Sequence, residues 1–259
     1  MIVSAEQTHS NQSNIRKTAG VAAIILAAGM GKRMNSTLPK VAHPVCGKPM
    51  VRYVVDAAHG AGIDNVVTVV GYGADIVKPF VEGDTTIAYQ KQMLGTGDAV
   101  NACRELFEDF EGGIVVLSGD CPLITSQTIK TLIQTQKEQQ AAAVVLTMVQ
   151  DNPFGYGRII RDENGEIMAI VEQKDATEEQ ALIKECNSGF YCFDAKTLFE
   201  MLKQVDNNNA QSEYYLTDVL GLSRKAGKRV IACIAQNNAE CVGINTPEQL
   251  AAAEAIMQG

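Results

Sequence analysis

The stretch from Val21 to Lys40, VAAIILAAGMGKRMNSTLPK, restricts the fold more than any other. Its apolar run, Val21 to Ala28, reads as a buried strand. The run breaks at Gly29-Met30-Gly31, and Lys32 and Arg33 follow at once, with Lys40 further on behind Pro39. Glycines lack a Cβ, so their backbone N–H groups can come close to an anion. Three cations then flank whatever sits there, and a polyphosphate is the simplest ligand. Two better-known phosphate motifs do not fit. A Walker A loop would need a Ser or Thr where Arg33 stands and a glycine where Leu26 stands, and a dinucleotide fingerprint would need its third glycine at Met34. The alternative is an ordinary strand-to-helix turn, which would suit a lone glycine pair. Arg33 and Pro39-Lys40 favour phosphate.

The motif L-A-A-G-x-G-x-R-M-x(4)-P-K resembles the signature of the sugar-nucleotide pyrophosphorylases, a family of nucleotidyltransferases. The rest of the sequence is most similar to their uridyltransferase branch, which acts on N-acetylglucosamine 1-phosphate. Lys32 is a departure, since many relatives carry threonine there.

Strands and helices alternate through the first half. Helical spacing covers Pro49 to Ala61, Asp75 to Val81, Asp98 to Phe107 and Ser126 to Gln140. Short apolar strands are expected at Val66–Val70, Thr85–Tyr89, Gly113–Leu117 and Ala141–Val149. This rhythm predicts an α/β, Rossmann-like, mixed and mainly parallel sheet with helices on both faces. Beyond it, Asn164-Gly165 separates two short runs, Arg158–Ile160 and Ile167–Ile170, as in a β-hairpin. A strand is expected at Cys186–Phe193, helices at Ala195–Val205 and Glu213–Ala226, and a strand at Val230–Ala235. A last helix opens at Thr246, with Pro247 at N1 and Gln249 at N3. The polar residues 1–20 read as a flexible extension, and 21–259 as one nucleotidyltransferase domain carrying a β-hairpin sugar-binding lobe and ending in a linker-type helix.

In open α/β sheets, ligands collect beyond the carboxyl ends of the strands. Besides the glycine loop, three such ends carry suggestive residues. Gln90 follows a strand and has an amide donor and acceptor that match the N3–H and O4 edge of uracil; taken alone it equally reads as a solvated turn residue. Asp120, in Ser118-Gly119-Asp120, is a hard oxygen ligand suited to Mg²⁺, since Thr125 or Ser126 is better placed to cap the next helix. Asn245 alone would pass for a turn residue before a capped helix.

The resemblance implies more. By it, Leu26, Ala27, Ala28, Gly29, Lys40, Gly119 and Asp120 hold the nucleotide, while Gln90, Gly95 and Thr96 contact the base. Asp120 and Asn245 would ligate Mg²⁺, and Gly157, Glu172, Asn187 and Asn245 would contact the sugar. Arg33 and Lys40 would be the catalytic cations. The Ser212–Asp218 signature reads more simply as the start of an amphipathic helix whose tyrosines pack the sugar lobe.

A net charge of −8 argues against a nucleic-acid or membrane surface, and makes an accompanying Mg²⁺ the natural way to gather positive charge around nucleotides. No run approaches the roughly 18 apolar residues of a membrane span. The seven cysteines form no CxxC pair and read as reduced, mostly buried thiols of a cytoplasmic protein. The three histidines sit in ordinary contexts. The implied substrates are UTP and N-acetylglucosamine 1-phosphate. Longer members of the branch continue into a β-helix of hexapeptide repeats bearing an acetyltransferase. None appears here, so neither that activity nor a β-helix trimer is expected. The rival readings are a pyrophosphorylase for another sugar phosphate or NTP, and an idle sugar-nucleotide-binding regulatory subunit.

Overall fold

A computed structural model describes residues 20–259. Gly20 already belongs to the first strand, and the rest of the expected extension, 1–19, lies outside the described residues. In chain order the elements are β1 (Gly20–Leu26), β2 (Pro44–Val45), β3 (Lys48–Pro49), α1 (Met50–Gly60), β4 (Asn65–Val70), α2 (Ala74–Val77) and β5 (Thr86–Tyr89). They continue with α3 (Thr96–Asn101), β6 (Gly112–Ser118), α4 (Ser126–Glu138), β7 (Ala143–Val149), β8 (Arg158–Arg161), β9 (Ile167–Val171) and α5 (Glu178–Ala181). The last are β10 (Glu185–Asp194), α6 (Ala195–Leu202), α7 (Asp218–Lys225), β11 (Val230–Ile234) and α8 (Pro247–Gln258).

The main sheet runs β11-β7-β10-β6-β1-β4-β5, with the β8–β9 hairpin joined through β10. Every strand on this path except β10 points the same way. The chain leaves β1 toward β4 and β5 on one side, then returns to β6 on the other. The crevice between β1 and β6 is therefore the switch point where such sheets bind ligands. Alternate residues of the apolar strands feed different cores. Ala22 and Ile24 join one cluster with α3, α6 and α7, while Ala23 and Ile25 join the other with α1 and α4. A strand buried on both faces shows no polar alternation, which is why Val21 to Leu26 reads as one unbroken apolar run.

Several local signals hold. Thr125 caps α4 by accepting from the Thr128 N–H at 3.2 Å, and Thr246 caps α8 by accepting from the Gln249 N–H at 3.3 Å. One expected helix is shorter than its pattern. Glu213–Ala226 becomes helical only at Asp218, because the chain before it passes through Ser212 at φ 53° and hydrogen-bonds to another segment instead. The Tyr214 N–H donates to the Leu94 carbonyl at 2.7 Å and its own carbonyl accepts from the Gly97 N–H at 2.8 Å. The two tyrosines thus precede the helix, and the backbone of Tyr214 braces the loop after β5. Likewise Asp98–Phe107 divides into α3 and a 3-10 turn at Arg104–Phe107.

Candidate active site

The site is built where β1 and β6 end level with one another. Leu26 pairs with Ser118, and the Gly119 N–H donates to the Leu26 carbonyl at 2.9 Å. That contact leaves no room for a side chain at Gly119, whose Cβ would meet the Leu26 oxygen at 2.8 Å. The glycine loop then turns away through Gly31 at φ 70°. A Cβ on Gly31 would lie 2.5 Å from the Cβ of Lys40, so the loop can fold against this lysine only with glycine there. Lys40 opens a 3-10 turn whose next two residues, Val41 and Ala42, are buried. Their burial pins the lysine at the rim of the crevice. His43 is structural: its Nδ1 lies 3.2 Å from the Pro39 carbonyl and 3.1 Å from that of Lys40, across the same turn.

A third segment completes the crevice. The Ile244 N–H donates to the Asp120 carbonyl at 2.9 Å, which sets Asn245 beside Asp120. Lys40 makes an ion pair with Asp120 and donates to Asn245 Oδ1 at 3.0 Å. Arg33 donates to the same oxygen at 2.9 Å. The two expected catalytic cations and the two expected Mg²⁺ ligands, drawn from three distant parts of the chain, therefore meet. The Cys121 thiol, 3.5 Å from Asp120 Oδ1, is held well above the usual thiol range by burial and then by the Asp120 charge, so it stays a protonated donor to that carboxylate.

The residues present fit Mg²⁺. Asp120 and Asn245 offer a carboxylate and an amide oxygen to one point, the point now bridged by the Lys40 ammonium. Mg²⁺ commonly takes one or two carboxylates and completes its octahedron with water and substrate phosphates. Among the described residues no cluster of three or more His, Cys, Asp or Glu could hold a metal ion.

Gln90 lies at the carboxyl end of β5 and is 6% exposed, so the solvated-turn alternative fails. Its Nε2 donates to the Gly95 carbonyl at 3.0 Å and to Asp98 Oδ2 at 2.8 Å. The amide donor is thus engaged within the loop, whereas the expectation paired it with O4 of a uracil. Gly95, at φ 107°, has no room for a Cβ against the Tyr214 carbonyl at 2.6 Å. The exposed Thr96 accepts from the Leu216 N–H at 3.1 Å, which ties the same loop to the chain before α7.

The residues expected on the sugar side also converge. A Cβ on Gly157 would lie 3.4 Å from Glu172 Oε1 and 3.5 Å from the Asn187 Cβ. The Gly157 carbonyl accepts from the Asn187 N–H at 2.9 Å. Asn187 is oriented at both ends: its Oδ1 accepts from the Gly189 N–H at 3.0 Å and its Nδ2 donates to the Tyr191 hydroxyl at 2.7 Å. Glu172 accepts from the Thr217 hydroxyl at 3.4 Å. Burial raises its pKa above the ordinary glutamate value; the Thr217 bond opposes this, and Asp175, Asp218 and Glu213 add to it. Sequence reasoning missed Thr217, Asp98 and the buried Arg158. Arg158 donates to the Tyr156 carbonyl, to Gln173 Oε1 at 2.7 Å and to the Ala181 carbonyl at 3.3 Å, and so staples the loops on either side of Gly157 and Glu172.

A Rossmann-like sheet with cations and hard oxygens gathered at its switch point defines a nucleotidyltransferase fold. A model of the MobA-like NTP transferase domain matches residues 23–210, and the chain belongs to that family. It is similar to proteins named Bifunctional protein GlmU. The one from Lactobacillus gasseri is 52% identical over 235 residues, covering 91% of this chain and 51% of that protein. The one from Brevibacillus brevis is 48% identical over 236 residues, covering the same shares, 91% and 51%. The chain spans about half the length of the curated relatives it matches. In solved structures, a UDP-glucose pyrophosphorylase complexed with UDP-glucose superposes with a TM-score of 0.71 at 22% identity, covering 92% of this chain and 98% of that one. That likeness speaks for the fold.

Proposed function

We propose that the chain joins UTP to N-acetylglucosamine 1-phosphate, forming UDP-N-acetylglucosamine and pyrophosphate, within one domain spanning 21–259. The observation that carries this reading is the meeting of Arg33, Lys40, Asp120 and Asn245 in the β1/β6 crevice. A phosphate oxygen of the sugar phosphate attacks the α-phosphorus in line, a new P–O bond forms, and the bond to the β-phosphate breaks. The nucleophile is already an anion at neutral pH, so no general base is required. The difficulty is repulsion: two like charges about 4 Å apart repel by about 4 kcal/mol at an effective dielectric of about 20. Several such pairs must be offset together. Lys40 takes the α-phosphate and the sugar phosphate, while Arg33 and the Gly29 loop take the departing pyrophosphate. Asp120 and Asn245 would hold Mg²⁺, which would supply a divalent charge to offset the same repulsion.

Gln90 reads the base with its carbonyl oxygen. Glu172 accepts from sugar hydroxyls, and Asn187 with Gly157 shapes the space for the N-acetyl group. The free thiols suit a reducing, cytoplasmic setting, and among the described residues no helix is long and apolar enough to cross a membrane. A regulatory subunit would have no need for a complete cation and oxygen set, which supports the enzyme reading. The test is pyrophosphate release from UTP, with and without N-acetylglucosamine 1-phosphate and Mg²⁺, crossed with CTP, dTTP and glucose 1-phosphate. Release that requires all three components is the expected result. Release with no pairing would remove the catalytic reading.

A further inference from the structure

We infer that Asp98 is a positioning residue that fixes the polarity of Gln90, and through it the choice between uracil and cytosine. The inference rests on the proposal that Gln90 faces the base. A glutamine amide is ambiguous in isolation, since its oxygen and nitrogen can exchange places with little change of shape. Here the exchange is blocked. Both neighbours of the amide nitrogen, the Gly95 carbonyl at 3.0 Å and the Asp98 carboxylate at 2.8 Å, are acceptors with no hydrogen to give. Turning the amide over would set an oxygen lone pair against two other oxygens inside a residue that is 6% exposed. Both amide hydrogens are therefore occupied, and Gln90 offers only its carbonyl oxygen to a ligand.

That polarity has a consequence for the base. Uracil carries a hydrogen on N3 and can donate to such an oxygen. Cytosine carries a lone pair on N3 and would meet it as a second acceptor. Thymine has the same N3–H as uracil, so this device separates UTP from CTP and leaves dTTP to other contacts. Gly95 contributes its backbone carbonyl and has no room for a side chain, so Asp98 is the half of the clamp open to change. Asp98 is only partly buried in the first turn of α3, so a longer side chain there has an outlet to solvent.

The test is titration of UTP and of CTP into the full chain and its variants without sugar phosphate, followed by a thermal melt of each variant. Asp98→Lys replaces an acceptor with a donor that favours the opposite face of the amide. One exchanged hydrogen bond predicts a fall of roughly tenfold in the UTP:CTP affinity ratio. Asp98→Glu restores an acceptor and keeps the ratio. Should the lysine variant fail to melt cooperatively, Asp98→Ala gives a smaller fall in the same direction. A ratio unchanged in a folded Lys or Ala variant, with wild type still preferring UTP, overturns the role of Asp98 alone. A wild type that binds UTP and CTP equally overturns the assignment of Gln90 to the base, and this inference with it.

Discussion

The two ends of the site solve opposite electrostatic problems. At the end proposed for phosphates, Arg33 and Lys40 are matched by Asp120 and Asn245, so the cations are satisfied before any ligand arrives. At the sugar end, Glu172 is buried beside Asp175, Asp218 and Glu213, and among the described residues its hydrogen bond comes from a hydroxyl rather than a cation. Asp218 too is pushed above its ordinary range, by burial first and then by Asp206 and Asp175. A polyanion needs positive charge that is already ordered. A neutral sugar needs acceptors, and their mutual repulsion is tolerated because hydroxyl groups relieve it. The lesson is that one sheet can carry two charge regimes when separate strands supply them: the ends of β1 and β6 in one case, β8 to β10 in the other.

Substitutions can sharpen or break this contrast. The largest effect belongs to the phosphate end. Arg33→Ala is expected to lower kcat by about 10²–10³-fold with an unchanged melting curve, and steady-state turnover at saturating substrates checks it; unaltered turnover removes Arg33 from the chemistry. At the sugar end, Glu172→Gln should raise KM for the sugar phosphate by roughly tenfold while Tm rises, because an isosteric neutral amide relieves the buried charge. A Tm that falls would show that the carboxylate is not under repulsion. The pH dependence follows with a definite sign. Because the folded-state pKa of Glu172 is raised, the folded chain holds this proton to higher pH than the unfolded chain does. Its contribution to stability therefore declines as pH rises from the ordinary glutamate value through the raised one. Sugar affinity moves the other way, since only the ionised form accepts fully. KM for the sugar phosphate should climb on acidification through that window in wild type and lose that climb in Glu172→Gln. The smallest effect lies outside both ends: Thr125→Ala removes the α4 cap and should cost about 1 kcal/mol, or about 2–4 °C in Tm, with kinetics intact.

What the sequence reveals depends on how local the physics is. The buried β1 run, the caps at Thr125 and Thr246 and the Asn164-Gly165 hairpin are settled by neighbours in sequence, and all are visible there. The meeting of Lys40, Asp120 and Asn245 depends on β1 and β6 ending in register, so only the rule that ligands gather at strand ends pointed to it. The burial of Gln90 and the non-helical path of Glu213–Thr217 were hidden, because each is decided by the other: the Tyr214 backbone closes the very loop that covers Gln90. A propensity scale sees a helix at Glu213 because it cannot see Leu94. The thiols, expected to be mostly buried, include an exposed Cys46 at a left-handed bend beside α8 and a half-buried Cys233.

The single oxygen of Asn245 that receives both Arg33 and Lys40 makes those two side chains thermodynamic partners. An anion that draws either one outward leaves that oxygen to the other, so the two should not respond to ligand independently. Truncating both should then cost less than the two separate losses added together, a non-additivity that independent cations would lack.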